Sequence, residues 1–408
     1  MEFTPLQLVA TVIFTIAVAH TFLTKYFERL AHVYPNHAGL FHLLGEVEAV
    51  FGFWALLLML VMVAMVGQSD TIGYLEGRNY TEPMFVFVIM VVAASRPVMS
   101  LVKDSVLGLA LRLPGHTRMV LMLLILFFVP LLGSFITEPA AMTLAALLLR
   151  DIIFNQQASH WLRYGALGVL FVNVSIGGTL TSFAAPPVLM VAAKWNWDMA
   201  FMLSHIGWRA TIACFINAAA LVLLFRRELC AHPHLNEPSR REVPLSVSVV
   251  HVLFLAAVVV FAHHPVIFMG LFLFFLGYTT AYKAYQSPLI LREALMVAFF
   301  LAGLVVLGGM QDWWLKPALL SMDSTAVYYG ATALTAITDN AALTYLGSLV
   351  EGLSEEFKIS LVMGAVTGGG LTLIANAPNP AGAAILKVKF SDQAISAKDL
   401  LLAASLPT

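Results

Sequence analysis

The chain has 408 residues, of which 60% are hydrophobic and only 11% are charged, and its formal net charge is −1. Soluble domains carry roughly 25% charged residues, and a mean hydropathy of +0.87 is too high for a soluble surface of this size. The composition predicts an all-α polytopic membrane protein and excludes a cytosolic enzyme, a nucleic-acid-binding protein and a disulfide-stapled secreted domain. The two cysteines form no CxxC motif, so we expect no metal or redox cofactor.

Eleven apolar segments are long enough to be membrane-spanning helices, for which about 20 residues suffice. They lie near 5–23, 44–67, 84–102, 116–150, 165–194, 200–225, 246–262, 265–282, 291–310, 324–350 and 358–385. Segments 116–150 and 324–350 are too long for a single crossing, and polar residues interrupt each near its middle. We therefore expect each of these two to be a re-entrant hairpin that enters and leaves the membrane on one side.

The distribution of basic residues predicts the orientation. With the N-terminus outside and both hairpins re-entrant, the inward loops carry sixteen Lys and Arg residues and the outward loops four. This excess is the positive-inside bias that sets topology. It predicts a multi-pass protein of the bacterial inner membrane with its N-terminus outside.

Two pairs of short segments indicate an internal repeat. Residues 134–144 match 335–345 at five of eleven positions, and 177–187 match 368–378 at six of eleven. Chance would give roughly one match in each window. In the predicted topology the two halves have opposite orientations, which is typical of transporters built from inverted repeats.

The repeat predicts the domain organisation. Each half contains three spans, a hairpin and a broken span. The first inverted repeat covers 1–225, with the hairpin at 116–150 and the broken span at 165–194. A basic cytoplasmic linker follows at 226–245, and the second repeat covers 246–408, with the hairpin at 324–350 and the broken span at 358–385.

Each hairpin carries a carboxylate at its expected tip, Glu138 in the first half and Asp339 in the second. A carboxylate at the bilayer centre costs about 2.5–3.5 kcal/mol, so such residues are functional by default. The alternative is that each carboxylate only caps the returning half-helix. If the two lie close together, they would share a proton near neutral pH, and sodium would displace it.

Glycine and proline interrupt the two spans that follow the hairpins, and irregular backbone at this depth must line a cavity or be buried. The expected breaks contain Gly177, Gly178, Pro186, Pro187, Gly368, Gly369, Pro378 and Pro380. They expose backbone carbonyl groups and the side chains of Ser182, Asn376 and Asn379. Oxygen-rich sites of this kind suit a small hard cation or a proton. Hydroxyls and amides also tie kinked helices together, and this structural role is an equal alternative for these residues.

These features resemble those of the ion-transporter superfamily, and most closely its sodium/proton antiporter group. The resemblance rests on a Thr-Asp-Asn tip at 338–340, followed by a Gly-rich broken helix that ends in Asn-Pro. NhaD-type antiporters, arsenite permeases and divalent-anion/sodium symporters share this plan. The resemblance implies a homodimerising scaffold and elevator-like movement of the transport domain. At the first tip the sequence departs from the antiporter pattern, because it reads Thr-Glu-Pro.

Carried over by position, the resemblance implies an ion site formed by both halves. Its residues are Thr137, Glu138, Thr181, Ser182, Thr338, Asp339, Asn340, Thr372 and Asn376. Within it, Na+ is expected at Glu138, Asp339 and Asn340.

The sequence thus predicts a secondary-active Na+/H+ antiporter in which Na+ and H+ are the transported ions and the lipid bilayer is the surrounding partner. The alternative is a sodium-coupled symporter of a small anion or organic acid, in which the carboxylates hold only the coupling ion. An intramembrane enzyme is disfavoured because neither H-E-x-x-H nor G-x-S-x-G is present.

Overall fold

The computed structural model describes residues 4–21, 23–154, 158–231, 242–390 and 393–408, and this part of the chain contains helices and no strand. The first half contains α1 (Pro5–Thr21), α2 (Thr24–Val33), α3 (Ala38–Gly45), α4 (Val47–Val66), α5 (Gln68–Glu76), α6 (Thr81–Ala93), α7 (Arg96–Arg112), α8 (Thr117–Leu123), α9 (Val129–Ile136), α10 (Glu138–Leu148), α11 (His160–Gly177), α12 (Pro186–Trp195), α13 (Met199–Met202), α14 (Trp208–Leu224) and α15 (Arg226–Cys230). The second half contains α16 (Leu245–Val260), α17 (Pro265–Ala281), α18 (Leu291–Gly308), α19 (Asp312–Leu320), α20 (Ser324–Thr335), α21 (Asn340–Ser348), α22 (Glu355–Gly368), α23 (Asn379–Leu386) and α24 (Ala397–Ser405).

Several helices have the length and composition of membrane spans. Among the described residues, four qualify by themselves: Ala49–Val66, Thr117–Ile136, Met199–Leu224 and Leu291–Gly308. The second and third of these continue through π-helical turns at Leu124–Phe128 and Leu203–Gly207. Helices α1, α16 and α17 are apolar but shorter. The chain is therefore an all-helical, multi-pass membrane protein. Half of the predicted linker 226–245, residues 232–241, lies outside the described residues.

The segment predicted as one span at 84–102 contains a break that was not predicted. Helices α6 and α7 meet at an angle of 61°. Ser95 between them has an extended backbone, and Pro97 lies in the first turn of α7. In a continuous helix Pro97 could not donate a backbone hydrogen bond to Ala93, and its ring would clash with the carbonyl group of Ala93, so α6 ends there and the chain bends.

Segment 117–153 folds back on itself at Thr137. Helices α9 and α10 pack against each other, and Arg118 at the start of the segment donates from Nη1 to the carbonyl oxygen of Ile152 at its end, at 2.9 Å. In segment 324–350, Val327 and Val350 from its two ends lie in one apolar cluster. The ends of each segment thus lie on the same side of the molecule.

The two halves interlock through these segments. The helix that precedes each hairpin tip is its first arm, and the helix that follows the tip is its second arm. Each first arm packs on the first part of the broken span of its own half, α9 on α11 and α20 on α22. Each second arm packs on the second part of the broken span of the other half, α10 on α23 and α21 on α12. This exchange brings both tips and both breaks into one region.

The other large body contains α1, α4, α6, α16, α17 and α18. Helices α4 and α18 cross where Gly303 faces the backbone of Phe51 and Gly52. A Cβ atom on Gly303 would lie 2.4 Å from the backbone nitrogen of Gly52, so only glycine permits this crossing. The contact fixes α18, which lies beside the second tip.

Candidate functional site

The first tip consists of Thr137 and Glu138, between α9 and α10. Thr137 has φ 74° and ψ 149°, a conformation that is costly for a β-branched residue. Pro139 follows in the first turn of α10 and supplies no backbone donor. Glu138 is fully buried. A strained threonine therefore directs a carboxylate into the interior at the start of α10.

Ser134 and Thr181 attach this tip to the first break. The Ser134 hydroxyl donates to the carbonyl oxygen of Gly177 at 2.8 Å and accepts from the backbone nitrogen of Leu180 at 2.9 Å. The Thr181 hydroxyl donates to the carbonyl oxygen of Ser134 at 2.6 Å. The Thr181 hydroxyl thus holds the break against the hairpin.

Gly178 lies directly against the carboxylate of Glu138. A Cβ atom on this glycine would lie 2.5 Å from Oε1 of Glu138, so no side chain fits here. The chain leaves helix α11 at Gly177 and enters helix α12 at Pro186, with Pro187 beside it. Ser182 lines a cavity beside this break.

The second tip has a different arrangement. Oδ1 of Asp339 accepts from the backbone nitrogens of Ala341 at 2.8 Å and Ala342 at 3.1 Å, so it caps helix α21. The Thr338 hydroxyl donates to the carbonyl oxygen of Leu334 at 2.9 Å. Asp339 therefore has the capping role that the sequence left open, and it is also partly exposed to cavities described below.

Asn340 is fully buried beside Asp339 and connects the second tip to both broken spans. Its backbone nitrogen donates to the carbonyl oxygen of Ala375 at 3.2 Å. Its side-chain nitrogen lies 3.4 Å from the hydroxyl of Ser175 in α11. Ser175 was not predicted from the sequence because this serine lies in an apolar run, and its position two residues before Gly177 is the only signal for it.

The second break has an attachment equivalent to that of the first. The Thr372 hydroxyl donates to the carbonyl oxygen of Ala336 at 2.8 Å, near the end of α20. Asn379 donates to the carbonyl oxygens of Gly369 and Thr372, both at 2.8 Å. Helix α22 ends at Gly368, and α23 begins after Pro378, with Pro380 in its first turn.

Asn376 joins the second break to the first tip. Its Nδ2 donates to Oε2 of Glu138 at 2.9 Å, across 238 residues of sequence. None of the ion pairs among the described residues includes Glu138. The buried carboxylate thus has an amide donor from the opposite half and no cationic side chain as a counter-charge.

Six side-chain oxygens at the tips and breaks are buried and have no hydrogen-bond partner. They are Thr137 Oγ1, Glu138 Oε1, Thr335 Oγ1, Asn340 Oδ1, Asn376 Oδ1 and Asn379 Oδ1. Unpartnered buried polar atoms are rare in folded proteins, and oxygens of carboxylates, amides and hydroxyls are ligands that hard cations prefer. The described residues contain no cluster of three His, Cys, Asp or Glu side chains that could hold a metal ion.

A series of cavities lies along the second tip and second break. The first, the Arg292 cavity, has a volume of about 360 Å³ and extends from Glu46 and Arg292 to Pro139 and Pro378. A small cavity of about 30 Å³ lies between Asn376 and Asp339. It shares lining residues with the Arg292 cavity and with the Asp339 cavity, which has a volume of about 190 Å³.

A fourth cavity, the Glu82 cavity, lies beside the first break. It has a volume of about 490 Å³, and Glu82, Asp198, His263 and Ser182 are among its lining residues. Thus each break is bordered by a cavity that carries acidic side chains.

Several apolar helices with the length of membrane spans define a multi-pass membrane protein. Residues 5–408 match the sequence model of the family described as "Putative Na+/H+ antiporter", and the chain belongs to that family. Cation/proton antiport is therefore its activity at the level of the family. No curated protein matches the chain.

Proposed function

We propose that the protein exchanges Na+ for H+ by alternating access, and that Glu138 is the group that holds either a proton or the cation. The observation that carries this proposal is the full burial of Glu138 without a cationic partner, beside unpartnered oxygens. An uncompensated buried charge is costly. The site is therefore stable only when Glu138 is protonated or when a cation is bound, so that the two ions exclude each other.

The surrounding oxygens complete the proposed cation site. Thr137, Asn340, Asn376 and Asn379 each have a buried oxygen without a partner. Asn376 uses its amide nitrogen for Glu138, which leaves its oxygen available to the cation. Thr181, Thr338 and Thr372 contribute through the backbone that their hydroxyls hold in place.

Asp339 has a separate part in the mechanism. It lines the small cavity together with Asn376, between the Arg292 cavity and the Asp339 cavity. We assign Asp339 to the transfer of ions or protons between these three cavities and Glu138. Its capping hydrogen bonds hold the start of α21. The two carboxylates thus differ in role, because one is sealed and the other is accessible.

The proposal includes an architecture of two inverted repeats, each with a re-entrant hairpin. Its support is the reciprocal packing of α10 on α23 and α21 on α12, the pairing of Arg118 with Ile152, and the equivalent hydroxyl bonds of Thr181 and Thr372. The hairpins and broken spans would move as one body against α1, α4, α6 and α16 to α18. The inner-membrane location, the outside N-terminus and the homodimer stay predictions.

Proteoliposomes that contain a pH-sensitive dye test this function. A pulse of Na+ is expected to move protons in the wild type, and Glu138→Gln is expected to abolish the movement because the amide cannot exchange a proton. Glu242→Gln is the matched control, since Glu242 forms an exposed ion pair with Arg96. No Na+-, Li+- or K+-dependent proton movement in the wild type would contradict antiport and would favour the symporter alternative.

A further inference from the structure

We propose that the Asp339 cavity binds a small amphiphilic organic ammonium cation. The cavity lies between the second hairpin and helices α1, α4 and α18, and its volume is about 190 Å³. Drug-sized sites have about 300–1,000 Å³, so the cavity suits a smaller ligand. This site is separate from the Na+ site at Glu138, which does not line it.

Aromatic side chains form much of the wall. Phe14, Phe51, Phe300 and Trp314 all line the cavity. The Trp314 indole nitrogen donates to Gln311 at 2.9 Å, which fixes the ring. Aromatic faces bind apolar groups and attract organic cations by about 0.5–2 kcal/mol for each favourable contact.

The polar part of the wall contains one charge. Of the described lining residues, Thr21, Thr338 and Asp339 have a hydroxyl or carboxylate. The two hydroxyls donate to the backbone carbonyls of Val18 at 2.7 Å and Leu334 at 2.9 Å. A cation with an apolar body matches both the single carboxylate and the aromatic wall.

The position of the cavity indicates how the ligand enters. Leu334 and Ile337 line it and are 43% and 51% exposed at the surface of the molecule. A lipophilic amine that partitions into the bilayer can therefore reach Asp339 from the side. Since the cavity separates the hairpin from α1 and α18, the bound ligand would block Na+/H+ exchange; this second effect rests on the proposed function.

Isothermal titration of the purified protein with 2-phenylethylammonium and the neutral analogue 2-phenylethanol tests the proposal. We expect saturable binding of the cation, at least about tenfold tighter than the alcohol because of the carboxylate and the aromatic faces. Ala342→Leu fills the cavity and Asp339→Asn removes the charge, so each should abolish this binding. Ala333→Leu, on the exposed face of α20, is the matched control and should bind normally.

Glu138→Gln separates this proposal from the proposed function, because it should lose exchange and keep 2-phenylethylammonium binding. Unchanged binding in folded Ala342→Leu, or equal affinity for the amine and the alcohol, would overturn the proposal. Folding of each variant is checked by size-exclusion chromatography and thermal unfolding.

Discussion

Asn376 and Glu138 come from opposite halves of the chain and meet in a hydrogen bond of 2.9 Å, with the amide nitrogen donating to the buried carboxylate. This bond joins the second break to the first tip. It also orients the amide oxygen of Asn376, which is buried without a partner. The central carboxylate is thus positioned by the half of the molecule to which it does not belong.

Asn376→Ala removes this donor and one proposed cation ligand. Hydrogen bonds to charged groups contribute about 1.5–3 kcal/mol, so we expect the Na+ concentration for half-maximal exchange to rise by about tenfold or more. The measurement is initial proton flux against Na+ concentration in proteoliposomes. Asn79→Ala, at an exposed position, is the control, and equal Na+ dependence in both variants would refute the role of Asn376.

Gly178→Ala places a methyl group where only 2.5 Å separate it from the Glu138 carboxylate. We expect loss of exchange, because the carboxylate must move from its position between the break and Asn376. Gly277→Ala is the matched change, since a Cβ atom there meets nothing within 4 Å. Normal exchange by Gly178→Ala would show that the carboxylate does not need this contact with the backbone.

Thr137 combines backbone strain with an unpartnered hydroxyl. Thr137→Gly relieves a backbone conformation with positive φ that costs about 1–3 kcal/mol, so we expect a higher temperature of thermal unfolding. Because the hydroxyl is lost, we also expect a higher Na+ concentration for half-maximal exchange. Thr137→Ser retains the hydroxyl and should keep the wild-type Na+ dependence. Lower thermal stability of Thr137→Gly would contradict the claim that the backbone of Thr137 is strained. A wild-type Na+ dependence of exchange in the same variant would contradict Na+ coordination by the hydroxyl.

Asp339 permits its capping and transport roles to be separated. Asparagine is as good an N-cap as aspartate, whereas alanine costs about 0.5–2 kcal/mol. We therefore expect Asp339→Asn to unfold at the wild-type temperature but to lose exchange. Asp339→Ala is expected to unfold at a lower temperature and also to lose exchange. Ser354→Ala removes the cap of α22 and should lower stability while exchange persists. Full exchange by Asp339→Asn would leave Asp339 with a capping role only.

The sequence predicted the breaks at Gly177 and Gly368 because glycine, proline and polar residues interrupt apolar helices there. The matched segments around Glu138 and Asp339 also predicted that both halves contribute to one region. Burial could not be predicted in this way. Glu138 is sealed and Asp339 is accessible, because these properties depend on which helix of the opposite half packs over each tip.

Side-chain direction explains the remaining differences. Ser182 lies one residue after Thr181, yet it lines the Glu82 cavity while Thr181 bonds to the hairpin. A break without helical periodicity gives no rule for which side chain points inward. The bend between α6 and α7 was not predicted, because the predicted span continued through Pro97 to residue 102.

Proton release on Na+ binding tests the central claim most directly. Isothermal titration with Na+ at one pH, in two buffers of different ionisation enthalpy, reports the protons released by purified protein. If Na+ and H+ compete for Glu138, the wild type releases protons as Na+ binds, and Glu138→Gln releases none. Sodium binding without proton release by the wild type, or unchanged release by Glu138→Gln, would contradict the account.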